Sequence, residues 1–125
     1  MVESFWAIPE LTTMRTPLSI LREQAGALTE QTHGALVGIV EADKGKGYVL
    51  VIRLEVSVPA LNDYRYRILT YEQPIDLYPG ILYGPDDSIS YPVNESDFTS
   101  AIKEALSSPR VKNVLTSLLS QVTAA

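Results

Sequence analysis

Residues 35–72 read ALVGIVEADKGKGYVLVIRLEVSVPALNDYRYRILTYE, and this stretch decides the fold. Apolar side chains recur at every second position through most of it, which is the repeat of a strand with one face in a core. Two interruptions divide it. Lys44-Gly45-Lys46 is a polar turn carrying the glycine that a tight hairpin needs, and Pro59-Ala60-Leu61-Asn62-Asp63 is a loop. The spacing predicts strands over 35–43, 47–58 and 64–72.

Centring the first hairpin on Gly45 sets Ala42 opposite Tyr48, Val40 opposite Leu50, Gly38 opposite Ile52 and Leu36 opposite Leu54. Across the second connection, Val58 faces Tyr64, Val56 faces Tyr66 and Leu54 faces Ile68. Apart from Gly38, these residues form one apolar layer, and a slip of one residue would scramble it. That face is expected to carry the helices. The other face then presents Glu55, Ser57, Arg65 and Arg67 at one end, with Glu55 and Arg67 as a cross-strand ion pair. At its opposite end it presents Val37, Ile39, Val49, Val51, Leu69 and Tyr71, an apolar patch on the side expected to be wet. Such patches mark surfaces that something covers, so these six residues are the interface candidates.

Helical patterns flank the strands. Thr16 suits an N-cap and Pro17 the first helical position, and Leu18, Leu21, Ala25 and Leu28 recur at three and four to predict a helix over 17–32. Gly34 supplies a left-handed stop just past it. Asn94 with Asp97 resembles a capping arrangement for a helix whose inner stripe is Phe98, Ile102, Ala105 and Leu106. Ser108-Pro109 ends it and caps the next, whose stripe is Val111, Val114, Leu115, Leu118 and Val122. Between strands and helices, residues 73–93 hold four prolines and suit an edge strand broken by turns, with Ile75, Leu77, Ile81 and Tyr83 reaching the core.

The expectation is an α+β fold: an antiparallel sheet of three to five strands, with one N-terminal helix and two C-terminal helices packed mainly on one face. Residues 16–125 form one domain. Residues 1–15 form an arm whose Phe5, Trp6 and Ile8 call for docking, on the chain's own sheet or on a partner, with Met14 as an alternative start.

Composition narrows the function by exclusion. The chain has 125 residues, 46% of them hydrophobic and 20% charged, so it can bury a core without metal or disulfide staples. It contains no cysteine, which removes thiolate chemistry and thiolate metal sites. Fifteen acidic residues outnumber ten scattered basic ones, which argues against nucleic acid as a partner. No apolar run approaches the roughly 20 residues that span a bilayer, and the N-terminus lacks the basic and apolar regions of a signal peptide, so a cytoplasmic location off the membrane is expected.

The catalytic inventory is thin. The lone histidine, His33, falls at a helix end where it complements the dipole. Asp86-Asp87 reads as a solvated turn rather than a metal site, since two adjacent carboxylates do not supply converging ligands. Gly45-x-Gly47 joins two strands and is too short for a phosphate loop. Tyr64 and Tyr66 alternate with Arg65 and Arg67 but point to the opposite face, which breaks up a base-stacking platform. No catalytic residue, metal ligand or cofactor is therefore assigned.

Two function classes remain. The first is a non-catalytic protein-binding accessory module of adaptor, chaperone-like or inhibitor and immunity type, acting through a sheet face toward another protein or a second copy. The second is a small-ligand binder or minor enzyme, with Arg65, Arg67, Tyr78 and Tyr83 lining a pocket between the sheet and residues 73–93.

Overall fold

The computed structural model describes residues 2–9 and 15–124; part of the expected arm, residues 10–14, and the last residue of the domain lie outside the described residues. The order is α1 (Pro17–Gln31), β1 (Val37–Lys44), β2 (Leu50–Val58), β3 (Tyr64–Gln73), β4 (Ile81–Tyr83), β5 (Ile89–Ser90), α2 (Glu95–Leu106) and α3 (Pro109–Ala124). The strands form one antiparallel sheet in the order β1-β2-β3-β4-β5. The α+β architecture expected from the sequence is the one found.

The helix boundaries follow local chemistry. Thr16 caps α1 by accepting a hydrogen bond from the Ser19 amide at 3.1 Å, while the Ser19 hydroxyl accepts one from the Thr16 amide at 2.9 Å. Beyond Thr32 the chain turns through left-handed His33 and Gly34, and the Gly34 amide donates to the Thr29 carbonyl at 2.9 Å. Asn94 caps α2 by accepting from the Asp97 amide, and Ser108 caps α3 by accepting from the Val111 amide. On the inner stripes, Ile20, Leu21, Ala25, Phe98, Ile102, Val111 and Leu118 are buried against the sheet.

Gly38 has a packing role. A Cβ at this position would come within 2.3 Å of the Ala25 carbonyl oxygen, so α1 lies directly on β1 only because residue 38 has no side chain. The Gly38 amide donates to the Thr29 hydroxyl at 2.9 Å, which ties the start of the edge strand to the helix.

The register of the first hairpin differs from expectation by four residues. Val40 lies opposite Leu54 and Ala42 opposite Ile52. The turn is centred on Gly47, which has φ +68°, and not on Gly45; the Gly45 amide closes the loop on the Val49 carbonyl at 2.8 Å. Moving the centre by two residues moves the register by four, an even number, so every side chain of β1 keeps its face.

The second hairpin departs in a more consequential way. From Val58↔Tyr64 to Glu55↔Arg67 the pairing is as expected, but Leu54 then pairs with Leu69 and Ile52 with Tyr71. Ile68 is the extra residue of a β-bulge, and the consecutive Ile68 and Leu69 are both buried. Past the bulge the alternation of β3 is inverted. Leu69 and Tyr71, expected on the outer face, are 1% and 0% exposed and belong to the core.

Residues 73–93 form the short β4–β5 hairpin, and here too the alternation is opposite to expectation. Leu82 faces the core, while Ile75 is exposed and Tyr83 stands on the surface. Tyr78 is the inward aromatic of the segment: its ring lies 6.1 Å from Phe98 and 6.4 Å from Tyr71, and Tyr71 packs edge-to-face on Phe98 at 4.8 Å. The Tyr71 hydroxyl donates to the Leu77 carbonyl at 2.7 Å, and Gly80 leaves room for its ring. Burial first, and the neighbouring Tyr78 second, push the Tyr71 hydroxyl up to about 12.

Candidate protein-binding surface

The helices cover one face of the sheet, so the outer face is where a partner has access. Its rows follow from the register. The first is Val37, Ser57 and Arg65, and the next is Ile39, Glu55 and Arg67. Then come Glu41, Arg53, Thr70, Tyr83 and Ile89, and finally Asp43, Val51, Glu72 and Ile81.

The middle of this face is a lattice of cross-strand ion pairs. Arg65 reaches Glu41 at 2.7 Å and Glu55 at 3.3 Å, Arg67 reaches Glu55 at 3.5 Å, and Arg53 reaches Asp43 at 2.6 Å. Glu55 lies beneath the two arginines with its side chain only 12% exposed. The hydrogen bond to Glu41 is the main reason that the Arg65 guanidinium holds its proton more tightly than usual.

This geometry dissolves the apolar patch read from the sequence. Leu69 and Tyr71 have gone to the core because of the bulge at Ile68. Val37 and Ile39 lie at the end of the face that holds Ser57 and Glu55, whereas Val51, between Asp43 and Glu72, lies at the other end, and Val49 is in the turn. These four are divided by charged residues and do not make one surface.

The small-ligand pocket is not assembled either. Tyr78 points into the core, Tyr83 donates to Glu72 at 3.2 Å on the outer face, and Arg65 and Arg67 are engaged by carboxylates. A hollow of about 410 Å³ does lie between the β4–β5 hairpin and α2, but its walls include Gly84, Asp86, Ser88 and Glu104 and none of the four expected residues. Among the described residues, no group of three or more histidine or carboxylate side chains gathers to hold a metal, and no helix is long and apolar enough to cross a membrane. Asp86 and Asp87 stand in a short 3-10 turn, exposed, with left-handed φ of 56° and 58°.

An apolar surface exists at a different place, the β4–β5 end of the outer face. Tyr83 pairs with Ile89, and Tyr91 lies close enough to contribute to the upward shift of the Tyr83 hydroxyl, which burial and Glu72 cause in the main. Ile89, Tyr91 and Val93 are each more than half exposed. The rim is acidic, with Glu72 on β3 and Asp86 and Asp87 in the turn. The signal for this surface is in the sequence: Ile81-x-Tyr83 and Ile89-x-Tyr91 flank the turn Gly84–Ser88 with period two, which is a hairpin pattern placing all four side chains on one face. A second exposed apolar element is the arm, in which Phe5, Trp6 and Ile8 are 92%, 84% and 78% exposed. Residues 2–9, the described part of the arm, are all exposed and are not buried on the sheet.

The fold and its surfaces thus define a helix-backed antiparallel meander with a charged outer face and an apolar, acid-rimmed end. No protein-family model matches the chain, and no curated protein or solved structure is significantly similar to it.

Proposed function

We propose that the chain is a non-catalytic protein-binding module, an accessory protein of adaptor, chaperone-like or inhibitor type, which engages its partner through the β4–β5 end of the outer sheet face. The observation that carries this reading is the exposed set Tyr83, Ile89, Tyr91 and Val93, with Tyr83 and Ile89 paired on the outer row of the sheet. Tyrosine and large aliphatic side chains with a polar rim have the make-up of an interface centre. The rim of Glu72, Asp86 and Asp87 fits a partner whose contact surface is basic, and the chain's net charge of −5 would steer such a partner in.

The test is a pull-down from the native lysate with wild type and an Ile89→Asp, Tyr91→Asp double variant, both shown to be folded by circular dichroism. A protein that the wild type enriches and the variant does not, and that binds the purified wild type more weakly as salt is raised, supports the reading. The same proteins captured by both would overturn it.

A further inference from the structure

Polar chemistry with no role in the fold gathers where α3 meets the start of β3. Arg110, Asn113 and Ser117 recur at three and four along α3, so they share one face of the helix. Tyr64 and Tyr66, two apart on β3, share one face of the strand. These five side chains line a single hollow of about 260 Å³ on the helix side of the sheet. Val114 and Leu118 complete its lining, and Leu118 is a buried core residue, which fixes α3 against the strand here. None of these residues belongs to the β4–β5 surface.

We infer that this hollow binds a small aromatic acid, a single ring that carries a carboxylate or a phosphate. Three observations lead there. The first is charge. Arg15, Arg53, Arg65 and Arg67 are each held by a carboxylate, whereas Arg110 has none within ion-pair distance among the described residues. The chain has fifteen acidic residues against ten basic ones, yet the lining of this hollow holds a guanidinium and no carboxylate. Such a wall selects an anion, and the guanidinium fork matches the paired oxygens of a carboxylate or phosphate. The second is free hydrogen-bonding capacity. On α3 the hydroxyls of Thr116, Ser120 and Thr123 donate to the carbonyl four residues back, at 2.8, 2.8 and 3.1 Å. Ser117 and Asn113 make no such bond and line the hollow instead. The Tyr71 and Tyr83 hydroxyls have partners in the chain, but those of Tyr64 and Tyr66 have none among the described residues. Donors from two elements thus converge on one space. The third is shape. Tyr64, 52% exposed, and the half-buried Tyr66 offer aromatic surface opposite Val114 and Leu118, which suits a flat apolar ring. Sites for drug-sized ligands measure roughly 300–1,000 Å³, so this smaller hollow admits about one ring with its acid group.

The experiment titrates the full chain with benzoate and with phenyl phosphate and follows amide and side-chain chemical shifts by nuclear magnetic resonance. Benzyl alcohol supplies the ring without the charge, and inorganic phosphate the charge without the ring. The expected result is saturable shifts centred on Tyr64, Tyr66 and Arg110–Leu118 with at least one of the two acids, at a dissociation constant of about 1 mM or tighter. Both controls should bind about tenfold more weakly or not at all. Which acid saturates identifies the acid group. Arg110→Gln should weaken the acid by about tenfold or more and leave the response to benzyl alcohol unchanged. Tyr64→Ala should weaken acid and alcohol alike. Arg110 and Tyr64 are exposed, so unchanged melting temperatures are expected of both variants and show that the fold is intact. No saturable shift at these residues with either acid overturns the inference. So does binding of benzyl alcohol or inorganic phosphate as tight as that of the acids, and so does an affinity that Arg110→Gln leaves intact.

Discussion

The two faces of the sheet are held in register by different physics. On the inner face, Val56, Ile52, Leu54, Leu69 and Tyr71 are matched by shape against the helices, and nothing there depends on charge. On the outer face, Glu41, Asp43, Arg53, Glu55, Arg65 and Arg67 are matched by sign: Asp43 and Glu55 pair with guanidiniums of the adjacent strand, and Glu41, opposite Arg53, pairs across β2 with Arg65 on β3. Both sets of partners point to one alignment. Centring the first hairpin on Gly45 would have left Arg53 opposite Val37 and Asp43 opposite Gly47; centring it on Gly47 puts Arg53 opposite Glu41 and within reach of Asp43. A shape-matched layer of β-branched and leucine side chains tolerates a shift by an even number of residues. A charge-matched layer does not, and it supplies the missing specificity.

The sharpest way to break this comparison is to put the same kind of group on each face. Leu69→Asp buries a carboxylate with no cation near it, a cost of several kcal/mol against a total stability of about 5–15 kcal/mol. It should yield insoluble protein or a chain with no cooperative thermal transition. Val51→Lys sets a charge between Asp43 and Glu72 on the outer face and should change stability by about 0.5 kcal/mol or less. A scan of melting temperatures checks both. A folded Leu69→Asp protein would mean that the bulge at Ile68 does not invert β3.

That bulge marks the limit of what the sequence shows. The element order, Thr16, Asn94 and Ser108 as caps, the proline-broken edge and most of the helices' inner stripes follow from periodicity and capping chemistry alone, although the stripe read for α1 leaves out the buried Ile20 and includes the half-buried Leu18 and Leu28. The bulge leaves a trace as well, since Ile68 and Leu69 are adjacent apolar residues in a strand that otherwise alternates, but strict alternation carried through it assigns Leu69 and Tyr71 to the wrong face. The candidate site was distorted for the same reason. A patch built on one uninterrupted alternation cannot survive an inserted residue, whereas the Ile81, Tyr83, Ile89 and Tyr91 pattern, confined to one short hairpin, is immune to it. Burial of Tyr78 depends on how residues 74–80 fold over Phe98, a long-range contact for which no local pattern exists.

A smaller effect separates the polar bond of the inner face from its packing. Tyr71→Phe keeps the ring on Phe98 but leaves the Leu77 carbonyl without its donor, at a cost of about 1 kcal/mol near neutral pH. The same variant changes the alkaline limb. The phenol of Tyr71 is raised from 10.0 to about 12 in the folded chain, so below pH 10 both states are protonated and its contribution is complete. Between pH 10 and about 12 the unfolded chain ionises first, and stability falls as pH rises. Urea titrations across this window should show a steeper loss for wild type than for Tyr71→Phe. Tyr78, also shifted upward by burial, leaves part of the slope in the variant.

The smallest expected effect lies in the charged lattice and isolates its role in register from its role in stability. Glu55→Gln keeps the shape of the side chain beneath Arg65 and Arg67 but removes the charge that both guanidiniums share. Both arginines are about half exposed, and Arg65 retains Glu41, so water and the remaining carboxylate compensate most of the loss. The cost should be about 0.5 kcal/mol, and smaller still at high salt, where screening has already weakened the pairs. If the lattice pins the register, Glu55→Gln alone leaves β2 and β3 aligned, because the Ile52, Leu54 and Leu69 layer and the remaining Arg53–Asp43 and Arg65–Glu41 pairs still agree. Adding Glu41→Gln and Asp43→Asn removes that agreement at the first hairpin. Cross-strand nuclear Overhauser contacts between Val40 and Leu54 would then weaken as contacts between Val40 and Leu50 grow in, at little cost to the melting temperature. Retention of the Val40–Leu54 contacts alone in the triple variant would show that the left-handed turn at Gly47 sets the register without help from the outer face.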